Sequence, residues 1–118
     1  MMPIITNEKA QSLLIKIVRF NHAWKSAQRQ FGQNSGIATA LRDQKACLQA
    51  ELLRHFEEAY LASDQDVENG EELYSVRLFQ SRKIDGLTRS DVEHMPVRIA
   101  KELFTEHELR MLLRHTND

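Results

Sequence analysis

The 118-residue sequence predicts an all-α protein, a long antiparallel helical hairpin with two to four shorter C-terminal helices packed against it. Three observations point there. Apolar residues recur at alternating three- and four-residue steps through the first half of the chain, the period of one helix face. The four glycines, Gly32, Gly36, Gly70 and Gly86, fall between the apolar segments rather than inside them, as breakers do. Hydrophobic residues make up 42% of the chain against 28% charged, enough to fill a core without a disulfide or metal staple. Residues 1–118 read as a single helical domain, with 7–62 as the hairpin and 71–118 as a part built of short helices.

The first helix spans Asn7 to Phe31, where Ala10, Leu13, Ile17, Phe20, Trp24, Ala27 and Phe31 form a seam. At 100° per residue these side chains share an arc of about 100°, on a helix about 37 Å long. Ile5 before a Thr6 cap, with Ala10 inside, suggests a weak hydrophobic staple at its start. Gly32-Gln33-Asn34-Ser35-Gly36 is a short turn-rich linker. A second helical pattern follows from Ile37 to about Leu61, with Ile37, Leu41, Leu48, Leu52, Phe56 and Ala59 on one face. So short a loop forces the helices to run antiparallel as neighbours. Folding the chain about it sets Trp24 opposite Asp43 to Leu48, and Phe20 opposite Cys47 and Leu48.

Ser63 to Gly70 is polar and acidic and reads as a loop. Glu71 to Ile84 carries two periods at once: Tyr74, Val76 and Leu78 alternate as in a strand, while Leu73, Val76 and Phe79 suit a helix. A lone strand would lack a partner, which favours the helix. Beyond Gly86, Thr88 or Ser90 with Asp91 can open a first turn. Pro96 suits the first turn of a helix running to Phe104. Thr105 and Glu108 make a capping box that opens a last helix through Leu109, Met111, Leu112 and Leu113. Leu87 to Leu113 matches a helix-turn-helix poorly, because its first helix would be very short and its turn has no glycine.

The residues that could carry chemistry do not assemble into a motif. Five histidines, His22, His55, His94, His107 and His115, are spread along the chain, and Glu51 with His55 shares one helix face. There is no HExxH, no CxxC, and no glutamate followed three residues later by histidine. Gly32 and Gly36 lack the strand, lysine and hydroxyl residue of a phosphate-binding loop. A single cysteine, Cys47, excludes an internal disulfide and fits the reducing cytoplasm. Met1 to Lys9 lacks the pattern of a secretory signal. The most apolar stretch, Leu13 to Phe20, is interrupted by Lys16 and Arg19 and is too short to span a bilayer. The expectation is a cytoplasmic protein with no catalytic activity, no cofactor, no bound metal and no membrane contact.

Net charge is −1, but it is unevenly spread: residues 1–49 carry +5, 50–72 carry −7 and 73–118 carry +1. In the hairpin, Lys25, Arg29, Arg42 and Lys45 gather at the closed tip. With Arg19 they are the candidate nucleic-acid contacts. Leu14, Ile15 and Val18 lie outside the seam, and a helix apolar over more than one stripe must be covered on more than one side. With Cys47, which projects off its own seam, they are the candidate partner or dimer contacts. The sequence thus suggests a small helical protein-protein interaction module, an adaptor or regulator that binds a protein partner or a second copy of itself. The alternative is a nucleic-acid-binding regulator, of transcription or of a mobile element, using the basic tip.

Overall fold

The computed structural model describes residues 7–68 and 70–114, with side chains for 8–63 and 70–114. The expected start at Ile5 and Thr6 lies outside the described residues. The chain is α+β, not all-α: a helical hairpin is followed by a four-stranded mixed sheet and two short helices. Helix α1 spans Asn7–Phe31 and α2 spans Gly36–His55. The strands are β1 at Ala59–Glu68, β2 at Glu71–Ile84, β3 at Leu87–Pro96 and β4 at Leu113–Arg114. Helices α3, Val97–Leu103, and α4, Glu106–Leu112, lie between β3 and β4.

The hairpin forms where its pattern places it. Gly32 adopts φ 96°, the left-handed conformation that stops α1, and its N–H bonds the Gln28 carbonyl at 3.0 Å. Ser35 caps α2 by accepting from the Ala38 N–H at 3.1 Å. The Lys45 ammonium sits 4.5 Å from the centroid of the Trp24 ring, inside the window expected opposite that indole. α2 stops at His55, six residues before the expected end. The chain turns at Glu57-Glu58, and β1 then docks on β2, with Ala59 opposite Leu78 and Leu61 opposite Val76.

The stretch 71–84 is a strand rather than a helix, and its partners are the stretches on either side of it. β1 runs through the expected loop at 63–68, and β3 takes up Thr88 to Pro96, where a helical turn was expected. Asp85 and Gly86 join β2 to β3 with φ of 52° and 91°. Two successive positive φ values make the tight turn whose twist matches a hairpin, and glycine at the second position takes it without strain. The sheet order is β3-β2-β1-β4, antiparallel through the meander, with β4 running parallel beside Leu61 and Ala62.

Alternation along the strands divides the sheet into two faces. One carries Ala59, Leu61, Val76, Leu78, Ile84 and Met95 into a core shared with Leu14, Ile17, Leu52, Phe56, Ile99, Phe104 and Leu109 of the helices. α1 packs on β2 and β3, and α2 packs on β1 and α3. Thr105 and Glu108 form the expected capping box of α4. Arg54 ties α2 to this end of the molecule by donating to the Leu103 carbonyl and to Glu108.

Candidate functional site

The helical hairpin and β3 meet at a bulge. Ser75 stands opposite His94 and Arg77 opposite Asp91, so Val92 and Glu93 together face the single residue Val76. Glu93 sits at φ 67°, a left-handed conformation that costs a non-glycine residue about 1–2 kcal/mol. Three hydrogen bonds hold it there. Its N–H donates to Asp91 Oδ1 at 2.8 Å, and its carboxylate accepts from Asn21 Nδ2 at 2.6 Å and from Arg89 Nη2 at 3.0 Å. Gln49, fully buried on α2, donates Nε2 to the Val92 carbonyl at 2.9 Å, an acceptor that the bulge displaces from the ladder.

The same network runs into the hairpin. Lys45, only 2% exposed, donates to Asn21 Oδ1 at 3.0 Å, so that Asn21 bridges a buried ammonium on α2 to the strained glutamate on β3. Beside this bridge lies a cavity of about 40 Å³ walled by Trp24, Lys25, Arg42, Lys45, Glu93 and His94 among others. A polar groove of about 460 Å³ shares Trp24, Arg42, Leu73 and Pro96 with it and continues past Gln28, Asn34, Thr39 and Arg98. Arg98 is committed to Glu71, Nε to Oε1 at 2.8 Å, and that bond with its charge holds the guanidinium pKa above its ordinary value.

The buried polar triad was visible in the sequence as an interruption. Asn21 lies one step after Ile17 and one before Trp24 on the seam of α1, and Lys45 and Gln49 are four residues apart on α2. Polar side chains at core positions of two facing helices signal a shared network.

The expected partner contacts do not form a surface. Leu14 and Val18 are buried in the core and Ile15 packs against it, because β2 and β3 cover the second apolar stripe of α1 from within the monomer. Of the four, Cys47 alone is exposed. The expected basic tip is likewise dispersed. Lys45 is inside the fold. Arg42 is half-buried against Asp43 at 3.6 Å. Arg19 is exposed but binds both carboxylate oxygens of Asp85 at 3.0 Å, which lowers the Asp85 pKa. Lys25 and Arg29 remain exposed, and neither makes an ion pair among the described residues.

The second face of the sheet carries Tyr60, Ala62, Ser75, Arg77, Phe79, Asp91 and His94, placed there by the pairing of Tyr60 with Arg77 and of Ala62 with Ser75. Ala62 and Ser75 on this face are buried. Tyr60 and Phe79 stack with centroids 4.4 Å apart and planes at 24°, and Phe79 is 57% exposed. The reading of 71–84 as a helix hid this pair, which only a strand register brings together.

Among the described residues no three His, Cys, Asp or Glu side chains gather as metal ligands, and no helix is long and apolar enough to cross a membrane. Searches against protein families, curated proteins and solved structures gave no match for this chain.

Proposed function

We propose that the protein is a non-catalytic interaction module that pairs with a second copy of itself through the face of its sheet that carries Tyr60 and Phe79. The observation that carries this reading is the Tyr60–Phe79 stack, an aromatic pair whose Phe79 is left exposed on the sheet. Around it stand Arg77 and, directly opposite on β3, Asp91, so the rim holds both signs of charge. A two-fold pairing can set the two Tyr60–Phe79 stacks against each other, as a self-complementary patch requires. Three strands of about ten residues span at most about 500 Å² in projection, and the buried Ala62 and Ser75 reduce what is exposed. That is below the roughly 800 Å² per partner of a standard interface, which suits reversible pairing in the micromolar range. A free, exposed Cys47 is compatible with a reducing, cytoplasmic setting.

Sedimentation velocity across the micromolar range tests it. The wild type is expected to dimerise with rising concentration and Phe79→Glu to stay monomeric, while Ile37→Glu, at an exposed apolar site on the hairpin tip, leaves pairing unchanged. A wild type that is monomeric throughout, or a Phe79→Glu variant that still dimerises, refutes the reading. The nucleic-acid alternative is weaker, because of its five cations Lys45 is buried, Arg42 half-buried and Arg19 paired. It would require retention on DNA or RNA at low salt that is lost when Lys25 and Arg29 are neutralised.

A further inference from the structure

We infer that the cleft between Trp24, Arg42 and the end of β3 is a binding site for a phosphate monoester, with the phosphate in the small cavity and a polar body, such as a nucleoside or sugar, in the adjoining groove. The charge around the cavity is unbalanced. Lys25, Arg42 and Lys45 line it against a single carboxylate, Glu93. That carboxylate already accepts from Arg89 at 3.0 Å and from Asn21 at 2.6 Å, so it does not offset Lys25 and Arg42 as well. Lys25 makes no ion pair among the described residues. Arg42 reaches only its sequence neighbour Asp43, at 3.6 Å, and its Nε is buried with no acceptor.

An N–H left in that condition is a donor waiting for an oxyanion, and guanidinium is the group whose geometry best matches one. Lys25 and Arg42 on one cavity fit a group carrying nearly two negative charges better than a carboxylate carrying one. The cavity, about 40 Å³, admits a few heavy atoms and no more. The groove of about 460 Å³ that shares its Trp24 and Arg42 wall is large enough for the rest of a small ligand, and Gln28, Gln33, Asn34 and Thr39 line it with both donors and acceptors. Trp24, with Lys45 already over its ring, fixes the wall common to both spaces.

Isothermal titration calorimetry with inorganic phosphate, a nucleoside monophosphate and acetate, at matched ionic strength, tests the site. It is run on the Phe79→Glu chain so that self-association plays no part. Phosphate is expected to bind, the monophosphate to bind more tightly than phosphate, and acetate to bind far more weakly. Arg42→Gln and Lys25→Gln, each checked by circular dichroism for an unchanged fold, are expected to weaken phosphate binding roughly tenfold or more, the effect of one charged hydrogen bond. Absence of phosphate binding overturns the proposal, as does binding that Arg42→Gln leaves unchanged or that acetate equals. A monophosphate no tighter than phosphate removes the groove from it.

Discussion

Leu14→Ala distinguishes a side chain inside the monomer from one on an interface. Leu14 is fully buried, on the stripe of α1 that faces the sheet rather than the seam. The substitution deletes three carbons, worth about 2.4 kcal/mol at roughly 0.8 kcal/mol each. A cavity of up to roughly 80 Å³, if the neighbours do not relax, adds about 2 kcal/mol at roughly 24 cal/mol per Å³. The expected loss is therefore about 2.5–4.5 kcal/mol, a large share of the roughly 5–15 kcal/mol that holds a domain together. With a urea slope of about 1.5 kcal/mol per molar, the midpoint falls by roughly 2–3 M. Urea unfolding followed by circular dichroism in the Phe79→Glu background reads this without interference from dimerisation. Cys47→Ala, at an exposed position, should shift stability by no more than about 0.5 kcal/mol. A Leu14→Ala midpoint within about 0.5 M of its parent would refute the placement of α1 against the sheet.

Lys45→Met should lower stability by about 1–3 kcal/mol, because it removes the cation over Trp24 and leaves Asn21 Oδ1 without its donor. Trp24 is the sole tryptophan, so a change in its emission reports the same loss directly, and a variant as stable as its parent would count against the bridge. Gly86→Ala puts a side chain at φ 91° in the β2–β3 turn, and thermal unfolding should show a loss of about 1–2 kcal/mol. Asp85 is held below its ordinary pKa by the hydrogen bond from Arg19. Glu108 is held low chiefly by the Thr105 backbone N–H and then by Arg54. Folded pKa values below the unfolded ones mean a contribution present above the usual carboxylate range and lost as pH falls through the folded values. The double variant Asp85→Asn, Glu108→Gln should therefore lose less stability on acidification than the wild type. Since both groups are solvent-exposed, the difference should shrink in high salt.

The hairpin was legible because α1 and α2 carry their own evidence: a seam of three- and four-residue steps, a breaker at Gly32 and a facing partner close in sequence. The sheet was not, and β2 shows why. Tyr74, Val76 and Leu78 alternate as a strand does, but neither neighbouring stretch announces itself as a partner for it. β1 and β3 sit at or near the edges of the sheet. They need apolar residues only at positions such as Leu61, Val92 and Met95, and elsewhere they carry Ser63, Thr88, Arg89 and Asp91. Polar strands of this kind look like loops in a sequence. The Asp85-Gly86 pair between alternating segments was the local sign of a hairpin, and it outweighs helical spacing over a single turn and a half.

Charge misled for a related reason. Counting cations by position placed Lys45 at a basic tip, yet its neighbours on α2 are Ala46, Gln49 and Ala50, the face turned inward. A lysine there is tolerated because Asn21 and Trp24 satisfy it, and Asn21 can do so only while its other end donates to Glu93. The bulge in β3, the left-handed Glu93 and the register of α1 on α2 are thus one coupled arrangement rather than three local features. Strain at Glu93 of about 1–3 kcal/mol persists only where surrounding contacts over-determine it. Here they come from both helices of the hairpin and from the strand itself. That coupling fixes the wall shared by the cavity and the groove, so the most constrained part of the fold is also the part that arranges Lys25, Arg42 and Lys45 around an open space.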